Sequence, residues 1–317
     1  MTGKTGRYRI EALLVHALAL LFAALPAETA SNLGGWIGRT LGTKLSASRK
    51  AVRHLQRSIP AYSDEKAAQK VIRKMWENLG RTFAEYPHLE TLAAKAEIIG
   101  TENLLECKDS GKPVIYFSGH LANWEVTSVT IYNHGIPLGL VYRAPNNSYV
   151  DGLLDKYRTL HGKLFSFPKS ARGMRDMMKA LKEGLSIGIL IDQKYNEGIE
   201  TLFFGQPAMT SSAFIKLGQR SGSLLLPVRI ERVDGIHFRV TYHKAIQLTD
   251  AENAPRDDID IINEAQGLLE KWITERPDQW LWVHRRWLSE HDRTKRKLRD
   301  EKREKRKEKN KEKDQAA

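Results

Sequence analysis

Short apolar runs alternate with amphipathic stretches along most of the chain, a pattern typical of an α/β protein. Two longer β-rich runs flank Asp234-Gly235, and this dipeptide between such runs predicts an antiparallel hairpin. We therefore predict a mixed sheet with flanking helices. The predicted strands lie at residues 113–117, 137–142, 163–167 and 186–192, and the predicted helices at 64–85, from about 122, and at 151–160, 172–184, 212–220 and 257–275.

The N-terminus carries an almost wholly apolar stretch, Ala12–Leu25, with basic residues on both sides. It could be a cleaved signal peptide, a short transmembrane helix, a monotopic anchor, or an ordinary core helix. About 14 helical residues rise roughly 21 Å, which is short of the roughly 30 Å of a bilayer's hydrocarbon. Because cations on both flanks resist translocation, we favour an uncleaved anchor that keeps the body on the cytoplasmic face of the membrane.

The net charge of +13 is spread unevenly over the 317 residues. Residues 291–317 hold 13 Lys/Arg and 7 Asp/Glu with almost no apolar residue, so we expect a charged tail, either disordered or a lone helix. The predicted division is an anchor at 1–28, one large folded domain at 29–290 and this tail at 291–317. The remaining basic charge favours an anionic partner: nucleic acid, an anionic membrane or an acidic protein.

A histidine and a glutamate follow the apolar run that ends at Phe117. His120 and Glu125 are separated by four residues, at the strand end where open α/β sheets usually bind ligands. An imidazole accepts protons near neutral pH, and a carboxylate on its other nitrogen fixes the tautomer. The spacing therefore predicts a general base with a steadying carboxylate. A metal site is less favoured, because no second ligand stands at a suitable spacing nearby.

Five segments occurring together in this order resemble the bacterial lipid A biosynthesis acyltransferases of the lauroyl/myristoyl type. The resemblance covers roughly residues 8–288. The segments are GHLANWE at 119–125, YRAPNNSYVD at 142–151, LIDQK at 190–194, FFGQPAMT at 203–210 and PDQWLWVHRRW at 277–287.

The resemblance implies a glycerolipid-acyltransferase-like α/β domain with an N-terminal membrane helix, at the cytoplasmic face of the cell inner membrane. It implies acyl transfer from an acyl carrier protein thioester to a hydroxyl of a Kdo-lipid A precursor, with no metal or organic cofactor. Anionic membrane lipids are expected as further partners, and nucleic acid is not.

The resemblance also implies roles for individual residues. His120 is the base, Glu125 holds its ring, and Arg158 is proposed as the oxyanion donor. Arg143 shares the oxyanion proposal and is an equal candidate for a phosphate contact. Five further residues are expected to line the substrate site: Asn123, Asp192, Phe203, Phe204 and Arg285. Arg286, directly after Arg285, is a further possible phosphate contact.

Two alternatives remain open from the sequence. One is a relative that acylates another glycolipid, such as a phosphatidylinositol mannoside, from acyl-CoA. The other is a non-catalytic membrane-associated protein whose basic tail binds RNA or anionic lipid. Histidines without a partner at a persuasive spacing, His284 among them, are interpreted as surface or packing residues.

Overall fold

The structure is a computed structural model that describes residues 2–145, 147–289 and 293–294. The tail predicted at 291–317 lies outside the described residues, apart from Arg293 and Thr294. Within the described part, the helices are α1 (Thr2–Ala24), α2 (Ala27–Leu41), α3 (Ser46–Ser58), α4 (Glu65–Glu85), α5 (Leu89–Ala94), α6 (Thr101–Asp109), α7 (Glu125–Asn133), α8 (Ser148–Arg158), α9 (Ala171–Lys182), α10 (Ala213–Ser221) and α11 (Asp258–Glu275).

The strands form one large mixed sheet and one small hairpin. They are β1 (Glu97–Ile99), β2 (Val114–Ser118), β3 (Leu138–Tyr142), β4 (Phe165–Pro168), β5 (Ser186–Leu190), β6 (Ile199–Phe203), β7 (Gln206–Thr210), β8 (Leu224–Asp234) and β9 (His237–Tyr242). The large sheet has the order β1-β9-β8-β2-β5-β3-β4, and β6 pairs with β7. Neighbours in the large sheet are parallel except β8 and β9, so the predicted mixed α/β sheet and its hairpin at Asp234 are confirmed.

The central strand β2 carries no polar alternation because both of its faces are covered. All five of its residues are buried, as expected for a parallel strand between two layers of helices. It lies between β8 and β5. The loops that follow β2 and β5 therefore leave the same edge of the sheet side by side.

The connections place helices on opposite faces of the sheet. The chain moves from β2 through α7 to β3 and through α8 to β4, and then returns through α9 to β5 and through α10 to β8. Right-handed crossovers put α7 and α8 on one face, and the two returning helices, α9 and α10, on the other. The helix α1 lies on the α8 side, where Asn147 donates a hydrogen bond to the carbonyl of Tyr8 at 2.9 Å.

The N-terminal helices pack closely on the body of the protein. α2 approaches α4 so tightly that a Cβ added at Gly34 would collide with the backbone carbonyl of Gly80. The N-terminus of α4 is capped by Asp64, whose carboxylate accepts from the amide of Ala67 at 2.8 Å. The domain boundary predicted at residues 28/29 falls in the first turn of α2, and the division stays a prediction.

The apolar N-terminal stretch is helical, and much of it faces solvent. Within the residues that the structure describes, no helix combines the length and the hydropathy needed to cross a bilayer. Several large apolar side chains on α1 are strongly exposed, with Leu13 and Leu20 each at 71%. The same helix is tied to the body at its far end, where the ring of His88 contacts the carbonyl of Phe22 at 2.9 Å.

Candidate active site

The register of two parallel strands brings a histidine and an aspartate together across 72 residues of sequence. Ser118 of β2 pairs with Leu190 of β5, and two residues beyond these partners the chain reaches His120 and Asp192. The imidazole Nδ1 lies 2.7 Å from Asp192 Oδ1, and the His120 amide donates to Oδ2 at 2.9 Å. The Asp192 side chain is 0% exposed, whereas the imidazole side chain is 14% exposed.

The carboxylate of Asp192 holds this ring in one tautomer. Oδ2 also accepts from the indole N–H of Trp280 at 2.8 Å, so the two oxygens receive three hydrogen bonds. Burial alone would raise the pKa of Asp192, but the charge and hydrogen bond of His120, with a contribution from His284, hold it well below its ordinary value. Because the group is an ionised acceptor, Nδ1 carries the proton and Nε2 presents its lone pair.

Glu125 does not hold the histidine ring, so that part of the prediction is wrong. Its Oε1 accepts from Tyr86 Oη at 2.7 Å and from Arg158 Nε at 3.3 Å. The predicted helix start near Ala122 also differs from the observed start at Glu125. Ala122 has a φ of 47°, and its amide bonds to the carbonyl of Gln279 at 3.0 Å. The chain therefore turns before the helix, and the carboxylate bonds to Tyr86 and Arg158 instead of to the ring.

Trp124 separates the histidine from the ion pair of Glu125 and Arg158. Its ring packs edge-on against that of His120, with centroids 5.0 Å apart, and its Nε1 donates to Glu125 Oε1 at 3.2 Å. Arg158 also lies over the ring of Tyr142, 5.4 Å from its centroid. Burial opposes the charge of Arg158, but the charges and hydrogen bonds of Glu125 and Tyr86 together outweigh it and raise the pKa, so the guanidinium remains a cation.

Three residues expected to line the substrate site are fully buried, and their predicted contacts are wrong. Asn123 is 0% exposed and donates to Glu85 Oε2 at 2.8 Å, within a network that includes the buried ion pair of Glu85 and Arg232. Phe203 is 0% exposed and packs 5.9 Å from the ring of Trp280. Asp192 orients the histidine as described above. Side chains so enclosed have no surface to offer a substrate.

The two arginines near the end of the chain's globular part differ sharply. Arg286 is 1% exposed and donates to the Met209 carbonyl at 3.0 Å and to Thr210 Oγ1 at 2.7 Å. Its burial lowers its pKa to about 10, and it cannot meet a phosphate there. Arg285 is exposed, and Phe204 is partly exposed, so the predicted substrate contacts of these two residues stay predictions.

Two cations stand at the same sheet edge as the histidine. Tyr142 of β3 pairs with Pro168 of β4, so the next residues, Arg143 and Lys169, emerge side by side. Loss of hydration, followed by the charge of Arg143, lowers the pKa of Lys169, while Asp192 partly offsets both effects. Sequence reasoning found Arg143 and missed Lys169, whose only signal is its position directly after a strand.

Sequence reasoning also missed Gln193 and His284. The Gln193 amide nitrogen lies 3.2 Å from His120 Nε2 and 3.3 Å from His284 Nε2, and can donate one hydrogen to each. The two imidazole rings are 4.9 Å apart. His284, interpreted from the sequence as a surface or packing residue, therefore has partners in the site that its spacing did not indicate. The available signal for Gln193 was its place beside Asp192 at the end of β5; His284 had none at short range.

The protein should lose stability in mild acid because of His284. Burial, and secondarily the charge of His120, lower the pKa of His284 from 6.5 to about 4. As the pH falls from 6.5 to about 4, His284 becomes protonated in the unfolded chain while it stays neutral in the folded protein. The difference corresponds to about 3 kcal/mol of unfolding free energy, present above the window and lost below it.

Urea unfolding across this pH window tests the effect. As the pH falls through the window, the free energy of unfolding of His284→Gln should decrease by about 3 kcal/mol less than that of the unchanged protein. His237 is exposed on β9, and His237→Gln serves as the matched control whose curve should parallel the unchanged protein. Parallel curves for all three proteins would contradict the assignment.

The site contains a base and cations but no cluster typical of metal binding. Among the described residues, no group of three or more His, Cys, Asp or Glu side chains is arranged to ligate a metal ion. The geometry provides an imidazole that is oriented by a buried carboxylate and whose Nε2 lone pair meets only the amide of Gln193 among the described residues. Two cations, Arg143 and Lys169, stand at the same edge of the sheet. Such an arrangement removes a proton from a bound nucleophile.

These features define an α/β protein whose candidate active site is a histidine, held by a buried aspartate, at one edge of the sheet. The chain belongs to the bacterial lipid A biosynthesis acyltransferase family, whose model matches residues 4–289. It is accordingly an acyltransferase of lipid A biosynthesis, as the sequence predicted.

Individual relatives are distant. A lipid A biosynthesis lauroyltransferase of Escherichia coli is 25% identical over 278 residues, covering 84% of this chain and 87% of that one. A lipid A biosynthesis acyltransferase of Haemophilus influenzae is 24% identical and covers 83% of each chain. The crystal structure of a 1-acyl-sn-glycerophosphate acyltransferase from Thermotoga maritima covers 77% of this chain and 99% of its own, at 11% identity. Its TM-score of 0.38 is too low to establish a shared fold.

Proposed function

We propose that this protein transfers a fatty acyl chain from an acyl carrier protein thioester to a hydroxyl of a Kdo-lipid A precursor, with His120 as the general base. The observation that carries the proposal is the pair formed by His120 and Asp192, in which a buried carboxylate holds the proton on Nδ1 and leaves the lone pair on Nε2, the nitrogen that can accept a proton. The sequence resemblance also supports a glycerolipid-acyltransferase-like fold for residues 29–290.

The chemistry requires one proton transfer in each direction. The acceptor hydroxyl takes the position now held by the Gln193 amide at His120 Nε2. As the hydroxyl oxygen attacks the thioester carbonyl, its proton passes to Nε2, and Asp192 stabilises the imidazolium. The tetrahedral intermediate then collapses. The carbon–sulfur bond breaks, the imidazolium returns the proton to the leaving thiolate, and an ester and a free thiol remain.

Arg158 is proposed to stabilise the oxyanion of this intermediate. Its side chain is 15% exposed and is held by Glu125 at Nε and by a hydrogen bond with Tyr86, so the N–H groups that these partners do not use are the donors proposed for substrate. In this proposal Glu125 acts through Arg158, which it holds in place, and not through the histidine. Arg143 and Arg285 are exposed and are proposed as contacts to the phosphates of the acceptor.

Membrane association is proposed to occur through α1, lying in the plane of the cytoplasmic face of the inner membrane. The helix exposes a group of large apolar side chains that continues onto α2, and an apolar patch of this kind is typical of an interfacial anchor. The group comprises Ile10, Leu13, Leu14, Leu20, Leu21, Trp36 and Leu41. The charged tail at 291–317 is proposed to add contacts with anionic lipid.

An assay of the purified protein with defined donors and acceptors tests the proposal. We expect one acyl chain to be added when an acyl carrier protein thioester and a Kdo-lipid A precursor are supplied together, detected by mass spectrometry. Acyl-CoA with a phosphatidylinositol mannoside is the competing pair, and faster transfer with that pair would contradict the proposal.

The non-catalytic alternative makes a different prediction about the tail. A protein ending at residue 290 should keep its turnover and at most bind anionic vesicles less tightly. If instead the His120→Ala protein kept the cellular function and the truncated protein lost it, the binding-protein alternative would replace the enzyme proposal.

A further inference from the structure

A groove on the face of the sheet opposite α1 is lined by positive charge. It lies between α9, α10 and the loop after β5, with a volume of about 460 Å³. Arg175 and Lys182 stand seven residues apart on α9, and Lys216 and Arg220 four apart on α10, so each pair occupies one side of its helix. We call this feature the α9–α10 groove.

The cations of the α9–α10 groove are mostly uncompensated. Among the described residues, Arg175, Lys182 and Arg220 form no ion pair, and Lys216 makes only a long contact of 3.7 Å with Asp258. One acidic residue, Glu197, also lines the groove. Unpaired charges held close together repel one another, and an acidic partner relieves this repulsion.

Apolar side chains also line the groove, beside the basic ones. Met174 and Met178 line it from α9, and Leu217 lines it from α10. Methionine side chains adapt their shape to different apolar surfaces. Basic pairs on two helices with apolar side chains beside them match an amphipathic helix that is acidic along the edges of its apolar stripe.

The groove lies near the active site. Tyr195 lines the groove and follows Gln193, which contacts His120, by two residues. The ammonium of Lys169 lies 5.2 Å from the centroid of the Tyr195 ring, and this lysine stands at the same sheet edge as the histidine. A partner seated in the groove would therefore lie beside the entrance to the site.

The position of the groove favours a soluble partner over a membrane. The exposed leucines of α1 lie on the α8 side of the sheet, and the α9–α10 groove lies on the other side. A single flat bilayer contacting the apolar patch of α1 cannot also enter a groove on the opposite face. The two surfaces thus suit two different partners at the same time.

We propose that the α9–α10 groove is the docking surface for the acidic carrier protein that brings the acyl thioester. This inference rests on the proposed function and adds to it the place where the donor binds. An acidic helix of the donor lies against the basic pairs of α9 and α10, and its thioester-bearing arm passes Tyr195 to reach His120.

Charge reversal in the groove tests the inference. We expect Arg175→Glu with Arg220→Glu to raise the KM for the acyl carrier protein at least about tenfold, because a tenfold change corresponds to only about 1.4 kcal/mol. The KM for the acceptor lipid and the turnover of an acyl-pantetheine thioester, which has no protein to dock, should not change. Arg175→Lys with Arg220→Lys should retain the normal KM.

The matched control reverses two exposed lysines that lie on another helix and do not line the groove. Lys66→Glu with Lys70→Glu changes the net charge equally, on the first turns of α4, and should leave the KM for the carrier protein unchanged. Circular dichroism and thermal unfolding confirm that each variant is folded. A rise in KM shared equally by the control would show an effect of net charge and would overturn the inference.

The remaining outcomes separate this inference from the proposed function. If the unchanged protein uses acyl carrier protein and the groove variant has a normal KM, only the docking surface is wrong. If the groove variant instead loses binding to phosphatidylglycerol vesicles with its KM unchanged, the groove binds lipid headgroups and the inference fails. If the unchanged protein uses acyl-CoA and no carrier protein, the donor assignment and the docking surface fail together.

Discussion

Replacing His120 by alanine should lower kcat by about 10²- to 10⁴-fold while the protein remains folded, because the base that takes the hydroxyl proton is removed. The imidazole is partly exposed, and its removal leaves no large cavity in the core, so the loss should concern rate and not folding. Steady-state kinetics with the acyl carrier protein thioester and the Kdo-lipid A precursor measure the effect. Thermal unfolding of the same preparation measures its stability.

His237→Ala provides the matched control for this experiment. It removes an exposed imidazole on β9. In the sheet, β8 and β2 lie between β9 and β5, the strand that leads to Asp192, so kcat should not change. A His120→Ala protein with turnover within a few-fold of normal, once His237→Ala has behaved as expected, would exclude His120 as the base and remove the foundation of the proposed mechanism.

Replacing Asp192 by asparagine should lower kcat by about 10²- to 10⁴-fold through the wrong tautomer of His120. Oδ2 of Asp192 accepts from the amide of His120 and from Trp280, so the single oxygen of an asparagine is required at that position. Its amide nitrogen then faces Nδ1 and donates to it. The ring must carry its proton on Nε2, where the hydroxyl proton should be received.

The pH dependence distinguishes this positioning role from a structural one. In Asp192→Asn the neutral ring carries its proton on Nε2, and a higher pH does not move that proton to Nδ1. Raising the pH should therefore not restore kcat of this variant. Glu125→Gln is the informative comparison, because it alters the contact with Arg158 and leaves the histidine pair intact. We expect it to lower kcat without changing the shape of the pH profile. A larger loss for Glu125→Gln than for Asp192→Asn would return the steadying role to Glu125.

Elements with a strong local signal were predictable from the sequence. The helix predicted at 64–85 is α4, and the hairpin predicted at Asp234-Gly235 joins β8 to β9. A long helical period and a turn dipeptide are properties of neighbouring residues. By contrast, the three-residue strand β1 and the six-residue helix α5 are too short to show a period, and their pairing and packing partners lie far along the chain.

The site was only half predictable for the same reason. His120 was identified from its place after a strand, but the nearest carboxylate in sequence, Glu125, was assigned to it. The chain turns at Ala122 and sends Glu125 toward Arg158. Asn123 and Phe203 belong to matching motifs, yet their burial can be known only from what packs around them.

The sequence by itself determined the alternating elements, the family and the histidine that can act as a base, because each depends on residues close together in the chain or on motifs in a fixed order. The tertiary structure decided which carboxylate serves that histidine. Asp192 reaches it through the parallel register of β2 with β5, and Gln193 and His284 meet it from segments distant in sequence. Parallel strands are joined by long crossovers, so the residues at their ends become neighbours only when the sheet has formed.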